Sequence, residues 1–182
     1  MSEKSIEKAP FPRPGSAEYN FLIERDVQKK NKMLKQWKRM NKYFTIPLYR
    51  AGILQIFGMH KIFLLLFTKG RKTGKIRITP VEYRRKDGQV HIVAGRGRAA
   101  HWYQNMIANP ADVEIKLGFK KRKVNFETLK TVEEKNNFLT WYITKYPKAA
   151  KMLFGWDPKN DKIESSDFSS LSKLIEIMKF DF

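Results

Sequence analysis

Between Thr68 and Pro80 the chain sets five cations, Lys69, Arg71, Lys72, Lys75 and Arg77, around two glycines, Gly70 and Gly74, with no carboxylate among them. Apolar runs flank the segment, so it reads as strand, turn and strand. Glycine adopts positive φ and lets the backbone approach a ligand closely. Such a turn presents N–H groups and fixed positive charge together, which suits an anion such as a phosphate. A solvated basic hairpin has the same composition. A second segment, Gly95-Arg96-Gly97-Arg98, follows an apolar run and opens a short helix, whose N-terminal dipole also favours an anion. On that helix Trp102 and Asn105 are three apart and share a face, where Trp102 can equally be core filler. Two such cradles suit one elongated polyanionic ligand.

Other chemistries lack their parts. Gly70 to Lys75 has three residues between its glycines where a Walker loop needs four, ends Lys-Ile rather than Lys-Ser/Thr, and precedes a strand instead of a helix. Gly95 to Ala100 satisfies the loose G-x-G-x-x-A dinucleotide pattern. The acid that would bind a ribose, Glu114, however, sits mid-strand between inward-facing Val113 and Ile115. His60, His91 and His101 are far apart with no carboxylate pattern around them, which argues against a metal site. There is no Gly-x-Ser-x-Gly elbow, and the absence of cysteine excludes disulfides, thiolate metal sites and Cys nucleophiles.

Gly70-Arg71-Lys72-Thr73-Gly74-Lys75-x-Arg77-x-Thr79-Pro80, then Ala94-Gly95-Arg96-Gly97, then Trp102-Tyr103-x-Asn105-x-x-x-Asn109-Pro110, together resemble the deazaflavin-dependent nitroreductase and quinone reductase family. The resemblance covers about residues 60–130. It implies an α+β split β-barrel of about six mainly antiparallel strands in Greek-key order, with flanking helices. It also implies coenzyme F420, a flat deazaflavin with a phosphate and an acidic tail, and hydride transfer to a small electrophile such as a quinone, nitro compound or activated alkene. On this resemblance Lys72, Lys75 and Arg77 hold the anionic tail, and Thr79 and Pro80 line the groove. Gly95, Arg96, Gly97 and Arg98 form the second loop, and Trp102 and Asn105 border the ring or phosphate. Many relatives carry a serine where Gly95 stands. Tyr142, Tyr146 and His101 are the candidates for proton donation or substrate contact. The residues themselves leave FMN open as an alternative flavin.

The elements that must position these residues are readable. At 182 residues the chain fits one core. Residues 1–15, with Pro10, Pro12, Pro14 and Gly15, read as a flexible arm that packs little. Residues 16–60 read as helices: Ser16 is an N-cap, and Ile23, Val27, Leu34, Trp37, Met40 and Phe44 form one apolar face opposite dense lysine. A second helix restarts at Thr45 with Pro47 and runs to about Phe57. This pair covers a core or lies on an anionic membrane surface.

Residues 61–182 then read as the split-barrel domain. Strands are expected at 61–68, 76–85 and 89–94, a helix at 100–108, and a hairpin turned by Gly118 whose return strand carries Val124 and Phe126. The phase of inward residues in 76–85 slips at Thr79-Pro80, which a bulge or an edge-strand proline would explain. Thr131 to Glu134 fits a capping box opening a helix to Tyr146-Pro147, and a short helix from Phe168 precedes an apolar end that can return to the sheet.

Lys and Arg outnumber Asp and Glu by 37 to 18, a net charge of +19, so the surface attracts polyanions. A nucleic-acid-binding barrel is the competing class. It is disfavoured because the aromatics are not spread along exposed strand faces. The first residues lack an apolar h-region and no apolar run reaches the roughly 20 residues of a spanning helix, so a cytoplasmic protein is expected, with membrane-surface contact left open through residues 16–60.

Overall fold

The computed structural model describes residues 8–23 and 27–181. In chain order it contains β1 (Ala9–Pro10), α1 (Ala17–Leu22), α2 (Val27–Met40), a π-helical segment Asn41–Thr45, α3 (Ile46–Arg50) and α4 (Ile53–Ile56). There follow β2 (Phe63–Lys69), β3 (Ile76–Lys86), β4 (Gln89–Ala94), α5 (His101–Ala108), β5 (Glu114–Leu117), β6 (Lys120–Lys123) and β7 (Asn125–Thr128). The chain ends with α6 (Val132–Lys145), α7 (Pro147–Phe154), β8 (Ser166–Asp167), α8 (Ser169–Leu174) and β9 (Glu176–Asp181).

Seven strands form one sheet in the order β6-β5-β2-β3-β4-β9-β7, and every pairing in it is antiparallel. β6 and β7 are separated only by Val124 yet stand at opposite ends of that order. The sheet must therefore curl until its ends approach, and the Val124 N–H bonds the Val113 carbonyl at 3.1 Å at the junction. This is the expected α+β split barrel. The count exceeds six because the return strand of the second hairpin divides at Val124: its first half pairs with β5 and its second half with β9.

Leu64, Leu65 and Leu66 are all fully buried, because both faces of β2 are covered. Leu64 and Leu66 join Val81, Tyr83 and Ile92 inside the barrel, whereas Leu65 and Phe67 pack outside it against Tyr49 of α3. Each such leucine contributes about 1.5–3 kcal/mol.

That two-sided cover also explains the phase slip in β3. The register with β2 runs unbroken from Phe63↔Glu82 to Lys69↔Ile76, so there is no bulge at Thr79-Pro80. Val81 and Tyr83 face the interior, while Ile78 packs on the outer cluster with Leu65. Pairing with β4 reaches only Tyr83↔Ile92, so Pro80 lies where β3 has a single neighbour and its missing donor costs little.

Two expectations for the N-terminal region are corrected. Within the expected flexible arm, residues 1–7 lie outside the described residues, but the stretch from residue 8 is packed. Phe11 is 1% exposed and stacks on Phe168 with centroids 5.2 Å apart, its N–H bonds Asp167 O at 3.0 Å, and the Arg13 N–H bonds Phe154 O at 2.9 Å. The prolines stiffen an extended segment that the C-terminal half holds by Phe11 and by the Arg13–Asp161 ion pair.

The continuous amphipathic helix is also divided. Ser16 does cap α1, residues 24–26 lie outside the described residues, and α2 has no buried residue. Ile23, Val27, Trp37, Met40 and Phe44 are exposed, so the apolar face of α2 covers no core; Tyr49 of α3 does. No helix among the described residues is long and apolar enough to cross a membrane.

The capping box at Thr131 and Glu134 forms as read. Pro147 both follows α6 and opens α7, being suited to a first helical turn. α7 was not foreseen, since Tyr146-Pro147 reads as an ending.

Candidate functional site

The first basic loop folds largely onto itself. The N–H of Gly70 bonds Lys75 O at 2.9 Å, and the N–H groups of Thr73 and Gly74 both bond Gly70 O, at 3.1 and 2.7 Å. Gly74 has φ +65, the turn position that requires it. The cradle of N–H groups is thus smaller than the composition suggests, because three of them close the turn. What the loop offers outward is charge: Arg71, Lys72, Lys75 and Arg77 are exposed, and none has a carboxylate partner among the described residues. Arg77 reaches back to Thr73 Oγ1 at 3.5 Å.

Asn105, which the resemblance sets at the ring or phosphate, is buried and ties the first loop. Its Oδ1 accepts from the N–H of Arg71 at 3.2 Å and from Arg71 Nη1 at 3.3 Å, and its amide donates to Thr68 Oγ1 at 3.4 Å. Asn109 adds a bond to Lys69 O at 3.2 Å. The helix that starts at the second loop therefore holds the first loop in place.

In that second loop Gly97 has φ +52, and a Cβ there would overlap the carbonyl oxygen of Leu174. Glycine is required to seat the loop on the α8–β9 connection. Arg98 pairs with Glu176 at 2.8 Å, and Glu176 also takes buried Lys135 at 2.9 Å. Gly97 and Arg98 thus already have protein partners, whereas Arg96 has no carboxylate partner among the described residues. Trp102 is half-buried against the barrel core. Thr79 and Pro80 are half-buried on β3 and, being successive strand residues, point to opposite faces, so they do not line one face together.

Both loops act on one group. His101, at the start of α5, is held below its ordinary pKa first by loss of water and then by the charges of Lys38, Arg96, Arg71 and Lys72. Cations from both glycine segments and from α2 share one field there.

Tyr142 and Tyr146 lie elsewhere, against β3. The Tyr142 hydroxyl donates to Glu82 Oε1 at 2.7 Å, and burial with the adjacent Glu82 carboxylate raises its pKa well above the usual phenol value. Arg84 pairs with Glu82 at 2.6 Å and lies 4.4 Å over the Tyr146 ring. No signal in the sequence points to Glu18 of α1, whose carboxyl abuts Gly95 of the second loop. No spacing rule links residues 77 apart, and only the packing of residues 8–22 reveals the contact.

A curled antiparallel sheet with two cationic glycine loops joined to one helix defines a split-barrel protein. The family described as F420H(2)-dependent quinone reductase matches residues 49–153, and the chain belongs to it. The F420H(2)-dependent quinone reductases of Mycobacterium tuberculosis strains CDC 1551 / Oshkosh and H37Rv are each 46% identical over 61 residues, 32% of this chain and 40% of each of those proteins. The matched part thus spans less than half the length of these curated relatives. Among solved structures, an F420-H2 dependent reductase (FDR-A) is 26% identical at a TM-score of 0.44, covering 66% of this chain and 95% of that one.

Proposed function

We propose that the protein is a reductase that uses reduced coenzyme F420 to reduce a small electrophile, with quinones the first class to test. One observation carries this reading: Arg71, Lys72, Lys75 and Arg77 stand exposed, without carboxylate partners among the described residues, on a loop that Asn105 ties to the helix opening at the second cationic loop. Membership of the family supports the choice of coenzyme.

The exposed, carboxylate-free charges of Lys72, Lys75 and Arg77 fit a phosphate and acidic tail, and Arg96 extends the same field toward the ring. Asn105 and Gly97 position the loops. Held by these residues, a reduced deazaflavin would supply the hydride. The chain's own residues bind and orient it, neutralise its charge and exclude water. FMN offers a phosphate to the same cations, but lacks an acidic tail for all three.

Parallel titration of the purified protein with reduced F420, FMN and NADPH, followed by fluorescence, tests the reading. Saturable one-to-one binding of F420, with FMN and NADPH weaker, is expected. Retention of nucleic acids of many sequences with a steep loss on adding salt, and no F420 isotherm, would indicate the polyanion-binding alternative.

A second reading concerns the helices of residues 16–60 alone. Trp37, Met40, Tyr43 and Phe44 are exposed on or next to lysine-rich α2, and Ile56 and Phe57 are exposed at the end of α4, the make-up of a surface that rests on anionic lipid. Sedimentation with phosphatidylglycerol vesicles but not with phosphatidylcholine vesicles tests it.

A further inference from the structure

Glu18 is a carboxyl buried against the second loop. It is 9% exposed, and a Cβ built on Gly95 would fall among its carboxyl atoms, 2.6 Å from Cδ, so the carboxyl occupies the room that glycine at 95 leaves. Its Oε2 has no hydrogen-bond partner among the described residues. A carboxylate oxygen left so would be costly, whereas a protonated carboxyl offers a donor that awaits an acceptor.

The surrounding groups favour the protonated form. β3 contributes Glu82 and Arg84, which form an ion pair of no net charge. Tyr142 of α6 donates to Glu82, and Tyr146, which follows α6, lies under Arg84. α7 packs on α1, but its lysines, Lys148 and Lys151, are exposed and Lys151 pairs with Asp157. Arg84 is engaged by Glu82, with its Nε lacking a partner among the described residues, and Arg96 adjoins Gly95 in sequence, but the charge that moves the Glu18 carboxyl is that of Glu82. Burial first, and then Glu82, push its pKa up to about 7.

The other acids are unsuited to donation. Tyr142 directs its proton to Glu82, and loss of water, then the surrounding cations, lower the His101 pKa and disfavour its protonated form.

We propose that Glu18 is the proton donor of the site, giving its carboxyl proton to substrate bound beside Gly95. This rests on the reductase reading above. With a quinone, a reduced deazaflavin held by the two loops would supply a hydride, with both electrons, to one quinone oxygen. The Glu18 O–H bond breaks as the remaining quinone oxygen takes its proton. The hydroquinone leaves, and the proton released when the deazaflavin is oxidised returns to the carboxylate.

The test uses the full chain and Glu18→Gln, which keeps shape and removes the proton, with Glu18→Asp as the rescue. Carboxyl carbon NMR without substrate should show one Glu titrating near neutral pH in the wild type, its resonance missing in Glu18→Gln. With reduced F420 and menadione, Glu18→Gln should bind coenzyme within about twofold of wild type. It should lower kcat by roughly 100- to 10,000-fold and lose the fall in kcat through neutral pH, while Glu18→Asp recovers part of both. Equal kcat and an unchanged pH profile in Glu18→Gln would overturn the donor role and leave the reductase standing. No F420 binding by the wild type would overturn the reductase reading, and the donor role with it.

Discussion

Asn105 Oδ1 accepts the backbone N–H of Arg71 at 3.2 Å, joining a helix to a loop 34 residues earlier in the chain. The amide is buried, so it holds the first basic loop from behind and leaves the loop's charges facing out. Replacing Asn105 by Ala removes these bonds while the Arg71 side chain remains free to find water. A loss of about 1–2 kcal/mol in urea-unfolding stability is expected, together with weaker F420 binding because the loop is no longer preorganised. Lower stability with unchanged affinity would show that the tie does not serve binding.

The two glycine loops should respond differently to alanine. Gly97→Ala drives a Cβ into the Leu174 carbonyl at a positive φ, whereas Gly74 has positive φ but open space around it. Gly74→Ala is expected to cost about 1 kcal/mol and Gly97→Ala more than about 2 kcal/mol. Thermal melts of both variants at one pH compare them, and equal losses would contradict the packing of Gly97.

Lys135, Glu176 and Arg98 form a chain of charges in which Lys135 and Glu176 are buried and Arg98 is exposed. Lys135→Met leaves Glu176 with only the solvent-screened Arg98. A loss of about 3–5 kcal/mol is expected in chemical denaturation, against less than about 1 kcal/mol for Arg98→Ala.

Glu18 makes stability depend on pH in a direction opposite to that of most carboxylates. Its pKa is about 7 folded, against an ordinary 4.5, so the folded state binds the proton more tightly. The contribution is fully present below about pH 4.5 and is lost as pH rises to about 7, a change of about 3 kcal/mol. Glu18→Gln should remove this dependence and be the more stable protein at pH 8. Parallel denaturation curves at pH 5 and pH 8 isolate the effect from other groups, and identical pH slopes would refute it.

The barrel was legible because its signals are local. Leu64 to Leu66 and the alternation of Val113, Ile115 and Leu117 need no knowledge of neighbours, and the Thr131–Glu134 box is complete in four residues. The slip in β3 was visible but its cause was not, because Ile78 is apolar on account of Tyr49 and Leu65 outside the barrel. The site was half legible. Charge and glycine mark the two loops, but that Gly97 makes room for Leu174, that Asn105 ties the first loop, and that Glu18 meets Gly95 are facts of tertiary packing. The exposure of α2 was likewise hidden, since an amphipathic pattern does not say what its apolar face will meet.

Coenzyme affinity in the loop variants tests the central assignment most directly. Dissociation constants for reduced F420 should be measured at one salt concentration for the wild type, Lys72→Ala and Arg77→Ala. Each variant is expected to bind more weakly by about 1–3 kcal/mol, roughly 5- to 150-fold, the scale of a lost charge-assisted contact. Affinities equal to wild type in both variants would contradict the assignment of the anionic tail to this loop.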